Sequence, residues 1–298
     1  MMMGQTHSVQ GFLMVSRVRA FYELLKPRLS MLVAFSCAFG YSLATGGQVD
    51  WDTLMVLTLA GFLLSGASVT VNQVMEVEFD RIMERTKTRP LPTGRVSVAE
   101  AKLFAVLCGL LSLVLLWKFT NGFTVAMSVL SMLLYCFVYT PLKRVGPVAV
   151  FVGAFPGALP PLLGWIAATG EITHEALIIF SIQFIWQFPH FWAIAWLADD
   201  DYKKAGFKLL PSGGGRDMNT AIQIMIYTMF LIPLGLLPAK FGMTGLDSAI
   251  VATVCGVLFF AQTFSLMKTG SRNSARRIMF GSFLYLPIVQ IAYLLDKL

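Results

Sequence analysis

The sequence predicts an all-α, polytopic membrane protein whose chain crosses the bilayer nine times. Of its 298 residues, 56% are hydrophobic and only 13% are charged, about half the charged fraction of a soluble domain. Long uncharged runs recur along the chain, which argues against a large soluble core. Because lipid offers no hydrogen-bond partners, a backbone that crosses it must satisfy its own polar groups, so these runs are expected to be helices.

Nine apolar segments are each about 20 residues long, the length that spans a bilayer as a helix. Their connections alternate in charge, and 20 of the 23 Lys and Arg residues fall on one side. The positive-inside rule makes that side cytoplasmic, with the amino terminus inside and the carboxyl terminus outside. The net charge of +7 is thus assigned to topology, and no nucleic-acid partner is expected. In order, the segments are 29–47, 53–75, 99–117, 121–140, 148–168, 174–197, 219–239, 246–266 and 277–295.

Residues 1–28 contain no long apolar signal segment and no cleavage motif, so they are interpreted as a cytoplasmic segment of the mature chain. Residues 29–298 are interpreted as one nine-helix domain. The four cysteines lie far apart in apolar runs, which favours a packing role over metal binding or disulfides. Prolines in or near the fifth and sixth segments predict kinks or local breaks. These are Pro147, Pro156, Pro160, Pro161 and Pro189.

The charged stretch after the second segment predicts a metal site. If the helix continues past Asn72, Glu76 and Asp80 follow at i+4 and i+8. Each step drifts by about 40° and rises by about 6 Å, so all three share one face, whereas Glu78 points nearly the other way. Their oxygens suit a hard cation such as Mg²⁺, which takes one or two carboxylates and leaves positions for phosphate oxygens.

Cations follow this column of acids at once, at Arg85, Lys87 and Arg89. They could hold the phosphate oxygens that a metal leaves free. The alternative is a charged turn at the membrane surface, in which the cations obey topology and the acids pair with them. Polar residues at the edge of an apolar helix are costly, which favours the binding site for the ensemble.

The sixth segment carries polar side chains within its apolar length. Gln183, Gln187 and His190 are spaced by four and three residues, so they line one face and are expected to point into the bundle. A histidine in this setting is commonly a packed hydrogen-bonding residue, and a ligand role stays open beside that one. Three contiguous aspartates, residues 199–201, close the segment and cannot share one face. Segments seven to nine carry little beyond hydrophobicity.

The spacing Asn72, Glu76, Asp80 at the end of the second segment resembles the UbiA-type intramembrane prenyltransferases. "DRIMERTKTRPLP" (80–92), "YTPLKR" (139–144), "GAFPGALPPLLGW" (153–165) and "WQFPHFWAIAW" (186–196) resemble, within them, the protohaem IX farnesyltransferase family. Glu76 and Glu78 depart from that pattern, which commonly has Asp there. Gly146 and Ala149 stand where Thr and Asn are common, so a polar contact from that loop is in doubt.

The resemblance implies nine helices around a central cavity open toward the cytoplasm, in a bacterial plasma (inner) membrane. It implies Mg²⁺-dependent transfer of a farnesyl group from farnesyl diphosphate to a vinyl group of haem B, giving haem O. Haem A synthase or terminal oxidase assembly would be the partner downstream. The implied catalytic residues are Asn72, Glu76, Asp80 and Asp201, with Asp200 added as a metal ligand and Asp199 a solvated charge. The implied diphosphate ligands are Arg81, Arg85, Lys87, Arg89 and Lys204. The implied haem contacts are Lys143, Arg144, Gln187 and His190.

Three other functions remain open at this point. A UbiA-type enzyme could prenylate a phenolic or quinone precursor instead, and the mass of the product would decide. A transporter would use intramembrane polar groups as its binding site, but the acids cluster at one membrane face and the halves show no strong repeat. A non-enzymatic haem chaperone would need no diphosphate site.

Overall fold

The computed structural model describes residues 17–213 and 215–298, so residues 1–16 of the predicted cytoplasmic segment lie outside the described part. The described residues form helices joined by turns and loops, with one isolated β-bridge between Thr244 and Lys297, which confirms the all-α prediction. Residues 17–24 are helical, and a π-helical segment (Leu134–Tyr139) joins α5 to α6. The remaining helices are α1 (Pro27–Ala44), α2 (Trp51–Met75), α3 (Val77–Ile82), α4 (Val98–Phe119), α5 (Gly122–Leu133), α6 (Thr140–Leu142), α7 (Val148–Thr169), α8 (His174–Lys204), α9 (Met218–Gly235), α10 (Leu237–Lys240), α11 (Leu246–Thr269) and α12 (Arg272–Leu295).

Each predicted span coincides with one helix or with a run of consecutive helices. Eight of these units in the described chain are long and apolar enough to cross a membrane, which confirms a polytopic protein. The first unit, α1, has 18 residues, begins with Pro27 and Arg28, and is not among the eight, so a count of nine stays a prediction. The eight are Trp51–Met75, Val98–Phe119, Gly122–Leu142, Val148–Thr169, His174–Lys204, Met218–Lys240, Leu246–Thr269 and Arg272–Leu295.

Helix α1 is nevertheless packed inside the bundle, against α7. A Cβ atom added at Gly40 would lie 1.9 Å from the carbonyl oxygen of Pro161, and one at Gly164 would lie 1.9 Å from that of Cys37. Only glycine permits such backbone contact, the usual device for close helix packing in membranes. Most of α7 is buried, so it is a central helix of the fold. All four cysteines are free and three are buried, as the packing interpretation predicts.

The proline-rich helices are continuous, and the prediction of local breaks is wrong. Helix α7 runs through Pro156, Pro160 and Pro161, and α8 runs through Pro189. Pro161 has no N–H to donate to the carbonyl of Gly157, four residues earlier. That carbonyl instead accepts hydrogen bonds from the side-chain amides of Gln183 and Gln187, at 2.9 Å each. A neighbouring helix thus satisfies the group that the proline leaves free, as lipid cannot.

Candidate active site

Asn72, Glu76 and Asp80, called the column below, lie along one face of the chain as predicted. Helix α2 ends at Met75 and α3 begins after Glu76, whose backbone (φ −106°, ψ 11°) departs from helical values. The hydrogen bonds nevertheless continue from the Glu76 N–H to the Asn72 carbonyl (3.0 Å) and from the Asp80 N–H to the Glu76 carbonyl (2.8 Å). Asn72, Glu76 and Asp80 are 2%, 4% and 1% exposed. The side chain of Glu78 is 70% exposed, so it lies on the other face.

Each carboxylate of the column meets one cation. Arg89 Nη1 donates to both oxygens of Asp80, at 2.7 and 2.9 Å. Lys143 Nζ donates to Glu76 Oε2 at 3.0 Å and lies 4.9 Å from the centre of the Tyr139 ring. Nζ is also 3.0 Å from Oε1, but at an angle that makes no hydrogen bond. Glu76 Oε1 is therefore a buried oxygen without a hydrogen-bond partner among the described residues.

The loop after α3 turns back on the column. The hydroxyl of Thr86 donates to the Asp80 carbonyl at 2.9 Å. Successive turns carry the Lys87 N–H to the Met83 carbonyl (2.9 Å) and the Arg89 N–H to the Thr86 carbonyl (3.0 Å). Arg89 thereby returns to an acid nine residues before it. The sequence placed Arg89 beside the acids, whereas this fold-back decides which acid it meets.

The end of α8 meets the same loop through Asp201. Its carboxylate accepts the backbone N–H groups of Glu84 (3.3 Å) and Arg85 (3.0 Å), and Lys204 Nζ lies 3.4 Å away. The Arg85 guanidinium reaches the hydroxyl of Tyr202 at 3.4 Å. The structure therefore brings the two acidic stretches of the sequence together, with Asp201 as the aspartate that joins them.

The neighbouring aspartates differ from the interpretation of the sequence. Asp199 is buried and contacts Lys203 at 2.8 Å and Arg216 at 3.5 Å, so its assignment as a solvated charge is wrong. Asp200 is 62% exposed and binds Arg216 and Arg272, each at 2.9 Å. Asp200 is thus held by two cations, and its assignment as a metal ligand stays a prediction. Successive helical residues point about 100° apart, so only packing decides which of three aspartates faces inward.

Three of the other predicted diphosphate or haem contacts have different neighbours in the structure. Arg81 donates twice to the exposed Glu78 at 2.8 Å, and Glu78 lies on the other face of the helix from the column. Lys87 pairs with Glu84 at 2.5 Å. The Arg144 guanidinium lies 4.4 Å from the centre of the Phe79 ring. These three cations are ordered by local partners, and their contacts with a substrate remain predictions.

Lys26 lies beside the column, although in the sequence it is notable only as one of the positive charges that indicate the membrane topology. Lys26 is the sole non-glycine residue of the described chain with a positive φ (45°). Two residues earlier, the carbonyl of Leu24 accepts hydrogen bonds from Thr70 (3.2 Å) and Gln73 (2.8 Å) on α2. Burial, together with the nearby charges of Arg89 and Lys143, lowers the pKa of Lys26 to about 7, against the opposing effect of Asp80 and Glu76. Its position directly before Pro27 is the signal that could have indicated an unusual backbone.

The donor set fits a hard cation in part. No group of three or more His, Cys, Asp or Glu side chains in the described ranges is close enough to hold a metal. Yet Glu76 and Asp80 are buried carboxylates that share one face with Asn72, each held against one cation. The amide nitrogen of Asn72 donates to Thr140 Oγ1 at 3.1 Å, which fixes the orientation of its oxygen. Carboxylate and amide oxygens are the ligands that Mg²⁺ prefers.

The polar row of α8 faces the interior, as predicted. Gln183 and Gln187 bind the Gly157 carbonyl, and Gln290 on α12 donates to Gln183 Oε1 at 3.0 Å. Gln187 thus has a packing role here, and its haem contact stays a prediction. His190 is buried and its Nδ1 lies 2.8 Å from the hydroxyl of Ser282 on α12. The last helix, α12, therefore supplies two polar partners, Gln290 and Ser282, that its hydrophobic composition did not predict.

One recess of about 600 Å³ lies away from these residues. Its lining includes Thr45, Asn121 and Gly170, which sit where α1 and α7 end and α5 begins, whereas the acids lie near the start of α1. No acid or cation lines it. This recess is at the wrong end of the helices to hold the chemistry of the column, and a central cavity open toward the cytoplasm stays a prediction.

Residues 33–286 match the UbiA prenyltransferase family. The chain is 51% identical over 285 residues to the protoheme IX farnesyltransferase of Cytophaga hutchinsonii, covering 96% of this chain and all of that protein. A structure of digeranylgeranylglyceryl phosphate synthase superposes with a TM-score of 0.77 at 20% identity, covering 94% of this chain and 98% of the other. A UbiA homologue from Archaeoglobus fulgidus, solved with GPP and Mg²⁺, gives 0.64 at 18% identity, with coverages of 92% and 99%.

Proposed function

This chain belongs to the UbiA prenyltransferase family, and we propose that it transfers a farnesyl group from farnesyl diphosphate to a vinyl group of haem B, giving haem O. Full-length similarity to a protoheme IX farnesyltransferase supports the choice of substrates. The observation that carries the chemistry is the buried column, in which Glu76 and Asp80 are buried carboxylates that each meet one cation. Carboxylates in this setting can hold a metal while the cations contact phosphate.

The column would hold Mg²⁺ through Asn72, Glu76 and Asp80, with Asp201 contributing across the loop. When bound there, Mg²⁺ supplies positive charge that stabilises the departing diphosphate. A Mg²⁺-bound UbiA homologue supports this assignment.

The chain's own cations would share that work. Lys143 and Arg89 already lie against the acids at 3.0 and 2.7 Å, and Arg85 lies beside Asp201 through its backbone. Breaking the allylic C–O bond leaves negative charge on the diphosphate, and fixed cations that meet this charge lower the barrier. Lys204, 3.4 Å from Asp201, adds a further cation.

Aromatic side chains next to the acids would shield the allylic cation from water. The Phe79 and Phe207 rings are 5.4 Å apart, Tyr202 is 6.1 Å from Phe207, and Tyr139 lies under Lys143. A ring face stabilises a nearby cation by about 0.5–2 kcal/mol. After diphosphate departs, the allylic cation would add to the terminal carbon of the vinyl group. Water would then add to the cation left on the adjacent carbon and complete the hydroxyethylfarnesyl substituent, and the released diphosphate would take up the proton that this water loses.

The membrane placement proposed with this function has the acids at the cytoplasmic face of a bacterial inner membrane. The charge bias of the loops supports that orientation. It lets a soluble diphosphate head meet the column while the farnesyl tail stays in the bilayer. The product would then pass to haem A synthase or to terminal oxidase assembly.

The test is expression in a bacterial membrane that contains haem B and lacks its own haem-prenylating enzyme. Extracted haems should include one heavier than haem B by a farnesyl unit plus water, as measured by mass spectrometry. Unchanged haem B, with folded protein and farnesyl diphosphate present, would refute the proposal. A prenylated quinone precursor in the same extract would assign the alternative acceptor.

Two substitutions in the column test the site. Glu76→Ala and Asp80→Ala should each reduce haem O to background, because each removes a carboxylate that would hold the metal. Glu78→Ala is the matched control, since that acid lies on the same helix but is 70% exposed, and it should keep turnover near wild type. Undiminished haem O in either column variant would remove the metal-site assignment.

A further inference from the structure

The proton on His190 can be assigned from its partner. The Ser282 hydroxyl donates its only proton to the Met279 carbonyl, at 2.6 Å. Its oxygen lies 2.8 Å from His190 Nδ1 and can therefore only accept a hydrogen bond there. Nδ1 must carry the proton. In a neutral imidazole the lone pair then resides on Nε2.

The ring is also held in place on its faces and edge. Trp186 stacks on it with centroids 4.4 Å apart and planes within 16°. Phe283 meets it edge-on at 5.0 Å. The Trp186 indole N–H donates to the Ser282 carbonyl at 2.9 Å, so α8 and α12 are tied at this point by two hydrogen bonds. The imidazole is therefore oriented as well as fixed in one tautomer.

The second ring nitrogen has no protein partner. No side chain or backbone group in the described ranges hydrogen-bonds to His190 Nε2, whereas Nδ1 is engaged. Because Nε2 carries the lone pair, it is available to a ligand. An Nδ1–H bonded to an oxygen, with Nε2 left free, is the arrangement found in histidines that bind metals.

Aromatic contacts connect this nitrogen to the column of acids. Lys143 lies over Tyr139, Tyr139 is 6.5 Å from Phe191, and Phe191 is 5.6 Å from His190. Along α8, His190 is about 16 Å from Asp201, at 1.5 Å per residue. A flat acceptor could lie between the diphosphate end and this nitrogen along an aromatic surface.

We propose that His190 Nε2 ligates the iron of the haem acceptor, and that Ser282 is the positioning residue that fixes its tautomer and orientation. The proposal rests on haem B being the acceptor, as argued above. Ligation would set the distance between the vinyl group and the allylic cation. Ser282 would act through His190, by holding Nδ1–H and so keeping Nε2 available.

The test is haem B binding to the purified full chain, followed by absorption and by resonance Raman spectroscopy of the ferrous complex. The wild-type complex should show an iron–histidine stretch. His190→Gly should lose it and bind haem B about 10–100-fold more weakly, and added imidazole should restore the band. His174→Ala is the matched control, because His174 begins the same helix and is 67% exposed. It should match the wild type.

Ser282→Ala should keep the ligand but shift the stretching frequency and weaken haem binding about tenfold, as loss of an outer-shell partner does. Ser282→Thr, which retains a hydroxyl, should restore the frequency. A purely structural Ser282 would lower thermal stability in the alanine variant and leave the frequency of the bound haem unchanged. Unchanged binding of farnesyl diphosphate shows that each variant is folded.

Two kinds of failure are separable. If the wild type makes haem O but His190→Gly keeps the wild-type spectrum, the iron assignment is wrong and the proposed function stands. If the wild type neither binds haem B nor makes haem O, the proposed function fails and this inference fails with it.

Discussion

The two acidic clusters at the charged end of the bundle differ in what surrounds their carboxylates. Glu76 and Asp80 are at most 4% exposed, and each meets a single cation. Asp199 and Asp200 together contact three cations, from α8, the loop after it and α12. The first cluster has one cation for each carboxylate, whereas the second shares cations that tie three segments together. Similar sequence chemistry thus yields a candidate binding site in one place and, at Asp199 and Asp200, a clasp between segments in the other.

The largest expected effect is a loss of turnover when the cation that pairs with Glu76 is removed. Removing a cation from the cluster of Asp199 and Asp200 is the comparison. Lys143→Met should lower haem O formation by about 100-fold, because the reaction loses a fixed charge aimed at developing negative charge. Arg272→Met is the matched change in the clasp and should leave the rate within about threefold, because an exposed pair contributes little. Initial rates at saturating farnesyl diphosphate measure both. Equal losses would mean that the clasp belongs to the catalytic site.

An intermediate effect is expected on stability, within the clasp itself. Asp199→Ala should lower the free energy of unfolding by roughly 2 kcal/mol, because it removes a buried carboxylate that pairs with Lys203 and Arg216. Asp200→Ala should cost less than Asp199→Ala, since the Asp200 side chain is 62% exposed. Thermal unfolding in one detergent compares them. The reverse order would show that exposure does not govern this cluster.

A separate effect, on the pH dependence of stability, concerns Lys26, which precedes α1 beside the column. Its pKa falls to about 7 in the folded chain, against 10.5 for an ordinary lysine, so the unfolded chain binds more protons between these values. Stability should therefore rise with pH across that window, by at most about 1.4 kcal/mol per pH unit. Lys26→Met should flatten the slope in unfolding measurements from pH 7 to 9. A slope that survives the substitution would assign it to another group.

Local patterns predicted much of the site because they depend on neighbours in the sequence. The 3.6-residue period placed Asn72, Glu76 and Asp80 on one face, and the structure buries all three while exposing Glu78. The same reasoning put Gln183 and His190 toward the interior. It could not choose among three contiguous aspartates: the family resemblance favoured Asp201 and then Asp200, whereas packing buries Asp199.

By itself, the sequence determined the helical segments, their membrane class and the face of each polar row, because hydrophobic length and helical period are properties of one segment. Tertiary structure alone decided that Lys143 meets Glu76 from 67 residues away and that Ser282 meets His190 from 92. It also decided that Gln183 and Gln187 take the carbonyl freed by Pro161. Such contacts depend on which helices are neighbours and how closely their backbones approach. Glycines such as Gly40 and Gly164 permit a close approach, but their positions in the sequence do not indicate which helix will be the neighbour.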